Sequence, residues 1–213
     1  TIRAITLSRV SKVVVVSSMG AEHSSDTGPI VGLHDFEVKL RALPDTDIAI
    51  LRPGFFMENL LWSVPTIECQ GIIGNHTHPE IPVYMIASRD VAARAAELLS
   101  TRFFRGHQVI DLYGDRISFR DATTIIGSRI GRPDLAYVHL DAQEAAASFV
   151  RGGFSEQVAR SYVELSRALT RGLVRPTRVD GYHPTSPTRL RDFVDEAFLN
   201  LHLRTGESLG VGH

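Results

Sequence analysis

The 213 residues contain a single cysteine, Cys69, and only two lysines, Lys12 and Lys39, among 23 basic side chains. One cysteine excludes an internal disulfide and fits a reducing cytoplasm. No run approaches the roughly 18 uninterrupted apolar residues of a membrane span, and no signal-peptide pattern is present. An excess of one charge is also missing. The 23 Lys and Arg stand against 24 Asp and Glu, for a formal net charge of -1, so there is no electrostatic footprint for nucleic acid or an anionic membrane. There is no internal repeat, no low-complexity tract and no Gly-x-Ser-x-Gly elbow of the hydrolase kind. The glycine-rich turn that cradles a dinucleotide pyrophosphate is absent from these residues as well: the only Gly-x-Gly, Gly210-Val211-Gly212, has no helix after it.

What is present is α/β patterning. At 43% hydrophobic and 22% charged, the chain can bury one sizeable core or a core with a small appendage. Ile2, Ile5 and Val10 read as the end of a helix leading into a strand. Lys12 then opens Val13-Val14-Val15-Val16, a continuous β-branched run of the kind buried on both faces of a parallel sheet. Ser17-Ser18-Met19-Gly20-Ala21 ends it, and turn formers from Glu22 to Pro29 make a loop. Leu33, Phe36, Leu40 and Leu43 recur at helical spacing until Pro44-Asp45. Asp47 to Leu51 is the next strand, and the right-handed crossover rule makes the two strands parallel.

The run Ala49 to Leu61 is the most informative, because an apolar strand breaks at Pro53-Gly54 and is expected to pass at once into an amphipathic helix. In open α/β sheets the ligand crevice lies beyond the carboxyl ends of the strands. An ordinary strand-to-helix turn would carry the same residues. Further on, Gly71 to Pro82 reads as a surface loop or hairpin and Val83 to Ile86 as a short strand. Ser88-Arg89-Asp90 is expected to cap a helix packed through Val91, Ala95, Leu98 and Leu99. A strand from His107 to Tyr113, a turn at Gly114-Asp115 and a helix from Ser118 to Ile130, closed by Gly131-Arg132-Pro133, follow. Leu135 to Leu140 is a strand, Asp141 to Val150 and Ser155 to Thr170 are helices, and Arg175 to Pro187 is an extended connection. A last helix spans Arg189 to Leu199, with a loose tail from Gly206.

Ser17 and Ser18 stand where a hydroxyl at a strand end can reach a ligand, or can satisfy backbone groups. His34, in the first turn of the next helix, is a candidate proton donor or a plain solvent-facing residue. Glu58 and Asn59 either point into the crevice or begin a helix. His76 and His78 resemble half of a metal site without a third ligand at a sensible spacing, so no metal is expected.

Taken in order, Val13-Val14-Val15-Val16-Ser17-Ser18-Met19-Gly20-Ala21, the helix with Glu37, and Leu51-Arg52-Pro53-Gly54-Phe55-Phe56-Met57-Glu58-Asn59-Leu60-Leu61 resemble the second half of an NmrA-like protein of the atypical short-chain dehydrogenase/reductase superfamily. Ala87 to Ala92 resembles the family's strand-to-helix segment ending in Asp-Ile-Ala. Tyr113-Gly114 through Pro133 resembles its Leu-Thr-Gly strand and following helix, and Pro184-Thr185 to Phe193 resembles the lead into its last helix. The match covers about nine tenths of the chain, and order and spacing carry it more than any one motif.

The resemblance implies an α/β fold: a partial doubly wound, Rossmann-like parallel sheet without its first strands, plus a small C-terminal substrate-covering part. Residues 1–62 would be the later portion of the NAD(P)-binding domain, and 63–213 the remaining sheet with the interleaved covering part. It implies NADP, or NAD, as cofactor beside Ser17, Ser18, Met19, Pro53, Gly54 and Phe55, and a small-molecule acceptor bordered by Phe56, Glu58 and Asn59. On the order of 80 to 100 residues of the family pattern would precede Thr1. The family's Tyr-x-x-x-Lys relay is also missing. Ile30 or Val31 would take the place of the tyrosine and His34 that of the lysine, which leaves His34 or water to supply protons.

The function expected is NAD(P)H-dependent reduction of a small aromatic or quinone-like acceptor in the cytoplasm, with a homodimer or a regulatory protein as further partner. A non-catalytic NADP-sensing regulator is the alternative, and an interaction module made of this piece alone a third. For the 213 residues themselves, weak nucleotide binding, no turnover and an apolar, unpaired sheet edge at Val13 to Val16 are expected.

Overall fold

A computed structural model describes residues 1–177 and 185–207, with side chains as far as Phe198. Along the chain the elements are α1 (Ile2–Ser8), β1 (Lys12–Val16), α2 (Val31–Arg41), β2 (Asp47–Pro53), β3 (Phe55–Phe56), α3 (Val64–Gln70), β4 (Ile72–Asn75), β5 (Val83–Ile86), α4 (Ser88–Thr101), β6 (His107–Leu112), β7 (Asp115–Ile117), α5 (Phe119–Arg129), β8 (Ala136–His139), α6 (Ala142–Arg151), α7 (Glu156–Thr170) and α8 (Leu190–Glu207). Two 3₁₀ segments, Gly28–Ile30 and Met57–Ser63, precede α2 and α3.

The parallel sheet has the order β1-β2-β6, with Val13 beside Ile48 and Ile48 beside His107. Alternation along β2 explains its two covered faces. Ile48 and Ile50 point with Val13 and Val15 toward α1 and α2, where Ile2, Ile5, Phe36, Leu40 and Leu43 pack. Ala49 and Leu51 point with Val14 the other way, onto Val91, Ala95, Leu98 and Phe104 of α4 and its C-terminal turn. The full burial that the unalternated valine run predicts is found in β2, whereas Val13 to Val15 are half-buried. Among the described residues β1 is a sheet edge, and Val16 is 49% exposed.

Gly54 lets the chain leave this sheet and enter a second one, β3-β5-β7, in which β3 and β5 are parallel and β7 antiparallel. A two-stranded parallel sheet, β4-β8, completes the set. The largest core lies between these elements and α5, α7 and α8, built on Met19, Met57, Met85, Phe119, Ile126, Leu169, Phe193 and Val194.

The mixed α/β architecture and its parallel sheet are as the sequence predicts. Several local readings are corrected. Past Gly54 the chain first forms β3, then a 3₁₀ segment rather than an amphipathic α-helix. Part of the expected loop at 71–82 is β4, which cannot form a hairpin because its partner is β8, more than 60 residues on. Ala87, not Ser88, is the cap position of α4, and Leu99 is exposed rather than part of its packing stripe. Ser118, Asp141 and Ser155 do cap α5, α6 and α7 with their side chains. α8 continues to Glu207, past the expected end at Leu199. Most of the expected extended connection, 178–184, and the end of the tail, 208–213, which holds Gly210-Val211-Gly212, lie outside the described residues. No helix among the described residues is long and apolar enough to cross a membrane.

Candidate functional site

The ends of four strands are stitched together by backbone hydrogen bonds. Beyond β1, the Ser17 amide donates to the Leu51 carbonyl at 2.7 Å and the Met19 amide to the Pro53 carbonyl at 3.0 Å, so the chain leaving β1 runs alongside the end of β2. The Gly54 amide donates to Leu112 at 3.0 Å and the Gly114 amide to Met85 at 2.7 Å, which brings in the ends of β6 and β5. A side chain at Gly54 would run into the Tyr84 carbonyl, so only glycine permits this step between sheets. These bonds lie at the carboxyl edge of the parallel sheet, where a ligand crevice is expected.

The residues singled out in the sequence take distinct places in the structure. Met19 is fully buried and contributes its backbone to the stitching while its side chain joins the large core. Ser18 is half-buried, and its hydroxyl donates to the Met19 carbonyl at 2.9 Å. Pro53 and Gly54 are buried. Phe55 meets Phe119 edge-on, with ring centroids 5.4 Å apart, and Phe56 turns to the α4 side. Glu58 Oε1 accepts from the Ser88 amide at 2.9 Å and the Ser88 hydroxyl at 2.6 Å, which supplies the cap that Ala87 cannot. Its Oε2 is buried with no hydrogen-bond partner among the described residues. Asn59 is half-buried on the same 3₁₀ segment.

His34 is half-buried at the start of α2, with Nδ1 2.9 Å from the Ala21 carbonyl. With Nδ1–H as donor there, Nε2 is the nitrogen left to take or give a proton. The ring is thereby tied to the loop that follows Ser18.

Ser17 leads to a group that sequence reasoning missed. Its hydroxyl donates to Glu37 Oε1 at 2.6 Å, and the same carboxylate receives Arg52 Nε at 2.9 Å, Arg52 Nη2 at 2.6 Å and Arg41 Nη2 at 2.9 Å. Arg52 Nη1 reaches Glu22 at 2.8 Å. Glu37 is 1% exposed and Arg52 2%. Burial by itself would lower the Arg52 pKa, but the Glu37 hydrogen bonds and the charges of Glu37, Glu22 and Asp111 hold it above the ordinary value. This network joins β1, β2, α2 and the loop at Glu22. One signal could have found it: Glu37 falls on the helical stripe of Leu33, Phe36 and Leu40, and Arg52 interrupts an apolar strand, so each needs the other's charge.

Asp111, beside Arg52 in the sheet register, accepts from the Thr177 amide and hydroxyl through Oδ2 at 2.8 and 2.7 Å. Thr185 bonds back to Tyr113. The pairing of β4 with β8 brings a third imidazole, His139, to His76 and His78. His76 Nδ1 lies 2.8 Å from the Leu140 carbonyl and His139 Nε2 2.9 Å from the His76 carbonyl. No group of three or more His, Cys, Asp or Glu among the described residues is placed to hold a metal ion.

No family model and no curated protein matches the sequence. Solved structures do match. An NADPH-dependent quinone oxidoreductase of Escherichia coli complexed with NADPH superposes with a TM-score of 0.75 at 21% identity, over 92% of this chain and 69% of that one. The triphenylmethane reductase of a Citrobacter species complexed with NADP(H) gives 0.75 at 18%, over 92% and 68%. NmrA, a negative transcriptional regulator in complex with NADP, gives 0.64 at 13%, over 92% and 67%. The chain thus has the Rossmann-like fold of these proteins, and the resemblance read from its motifs holds at the level of the fold.

Proposed function

We propose that this fold holds NADPH, or NADH, with the nicotinamide end against the carboxyl ends of β1 and β2, and reduces a small aromatic or quinone-like acceptor. The observation that carries the reading is the bond from the Met19 amide to the Pro53 carbonyl, which joins two parallel strand ends beside Ser18 and the side-chain-free Gly54. The NADPH-bound and NADP(H)-bound reductases of the same fold support it.

The donor set fits the nicotinamide ribose end of such a cofactor: the Ser18 oxygen keeps lone pairs free to accept, and Pro53 and Gly54 are buried, water-poor backbone beside it. The pyrophosphate turn is not encoded in these 213 residues, so the chain's own affinity for the dinucleotide is expected to be weak. When bound, the reduced nicotinamide supplies a hydride from C4, and a quinone that takes the hydride and one proton becomes the hydroquinone. Holding the acceptor at near-attack distance is then the main task of the protein. Phe56, Glu58 and Asn59 border that space, and His34 Nε2 or water delivers the proton. Ser17 acts at one remove, through Glu37 and Arg52. Residues 1–62 form the nicotinamide side and the later chain the cover. A cytoplasmic location and a homodimeric or regulatory partner belong to the same proposal.

Titration with NADPH, NADP⁺, NADH and NAD⁺ by ligand-detected NMR, followed by NADPH oxidation with menadione, an azo dye and an enone, tests the reading. Weak saturable cofactor binding is expected. No binding of any of the four overturns the proposal. Absence of turnover by these 213 residues alone is expected; unequal affinity for the oxidised and reduced forms supports redox sensing instead, and a negative transcriptional regulator in complex with NADP shares the fold.

A further inference from the structure

A cluster of four aromatic rings stands outside the strand-end site. Trp62, at the end of the 3₁₀ segment Met57–Ser63, lies 6.1 Å from Phe154 and 6.4 Å from Tyr162 between ring centroids. Phe149 backs Tyr162 in a stacked pair at 5.0 Å, and Phe154 meets both rings at close to 6 Å. Against Trp62 the neighbouring rings are tilted by 48° or 72°, so none is stacked on the indole. Trp62 remains 57% exposed.

The position of the cluster ties it to the crevice. Trp62 is three residues past Asn59. α7 reaches both 3₁₀ segments: Gly28 abuts the backbone of Ser161 and Leu165 closely enough that a Cβ there would strike Ser161, and Tyr162, next in sequence, meets Trp62. One helix therefore bridges the chain that leaves β1 and the chain that leaves β2; where the second of these ends, Tyr162 of α7, Phe154 of the connection before it and Phe149 of α6 gather beside Trp62.

We infer that Trp62, with Phe154 and Tyr162 at its edges, is the stacking platform for the acceptor, and that the acceptor class is a planar aromatic such as a naphthoquinone. The inference rests on the reductase reading for its place beside the crevice. Its chemistry is general: an indole face without a stacked partner takes a flat, electron-poor ring in offset stacking, and the surrounding rings exclude water from that contact. Phe149 is a positioning residue that holds Tyr162 upright.

Trp62 is the only tryptophan in the chain, so its fluorescence reports on this one site. Titration of the 213-residue chain with menadione, without cofactor, is expected to quench Trp62 saturably, while cyclohex-2-enone, which lacks an aromatic face, quenches only in proportion to its concentration. Tyr162→Leu and Phe154→Leu should each raise the menadione dissociation constant about fivefold, and Tyr162→Phe should leave it unchanged. Trp62→Leu, followed by ligand-detected NMR, should lose menadione binding without lowering the thermal midpoint. Linear quenching by menadione, or a dissociation constant that Tyr162→Leu and Phe154→Leu do not move, overturns the platform. Saturable menadione binding by a chain that binds no nicotinamide cofactor leaves the platform standing and overturns the reductase reading instead.

Discussion

Arg52 and Glu37 meet inside the protein through two parallel hydrogen bonds, Nε to Oε1 at 2.9 Å and Nη2 to Oε2 at 2.6 Å. Both side chains are shut away from solvent, so removing either leaves the other's buried charge with one partner only, Arg41 for Glu37 or Glu22 for Arg52. Arg52→Met and Glu37→Gln are each expected to lower the unfolding free energy by about 3–5 kcal/mol. Replacing both at once, Glu37→Leu with Arg52→Met, should lose much less than the sum, because neither charge is then left alone. Urea unfolding of the three variants checks this, and additive losses would show that the two residues do not act as a pair.

Acid should weaken the opposite end of the sheet. Asp47 accepts from Lys12 Nζ at 2.7 Å and from the Gly106 amide at 2.6 Å, linking the starts of β1, β2 and β6. The Lys12 hydrogen bond, then the Gly106 amide, holds the Asp47 pKa below its ordinary 3.8. A folded-state pKa below the unfolded one gives stability that is fully present above pH 3.8 and is lost as pH falls from there through the folded value. Asp195, held low by its hydrogen bond from Arg129, has the same sign. Asp47→Asn should lower stability at neutral pH and make the acid limb shallower, as read by thermal unfolding across pH 2 to 7, a range of about five units.

Gly54→Ala tests the step between sheets. The added methyl would meet the Tyr84 carbonyl, and the buried backbone around it cannot yield without moving β3 from β5. A loss of about 1–3 kcal/mol is expected, about 2–4 °C in the thermal midpoint for each kcal/mol in a chain of this size. Gly32, where a Cβ meets nothing within 4 Å, is the control: Gly32→Ala in α2 should be neutral or stabilising.

These sites also mark where the sequence is legible. β1 and β2 can be read because each is a short, unalternated apolar run between turn formers, and α5 because Ser118 and Gly131-Arg132-Pro133 bracket it. β4 cannot be read that way. Only Ile72 and Ile73 are apolar before Gly74-Asn75, and what makes them a strand is Ala136–His139, supplied from far along the chain. The Trp62, Phe154 and Tyr162 cluster is hidden for the same reason, since its rings come from segments about 90 residues or more apart. Ser17, Ser18, Pro53 and Gly54 can be placed at the ends of β1 and β2 from the sequence because the carboxyl edge of a parallel sheet follows from topology alone. The partner of the Ser17 hydroxyl cannot, because a buried carboxylate on an apolar helix stripe declares itself only once the strand arginine is beside it.

His34 separates proton delivery by the protein from delivery by water. With Nδ1 fixed on the Ala21 carbonyl, the ring presents Nε2, and His34→Asn keeps the first bond through its amide while removing Nε2. A quinone reduced by hydride leaves an oxygen anion that water protonates readily, so in a form of the protein that turns over, NADPH oxidation with menadione should fall no more than about tenfold. An enone or an azo dye needs its proton in the transition state at carbon or nitrogen. For these acceptors the loss should approach the roughly 10²–10⁴-fold contribution of a positioned general acid. Equal losses with all three acceptors would mean that His34 only holds the loop in place, and the proton would then have to come from solvent in every case.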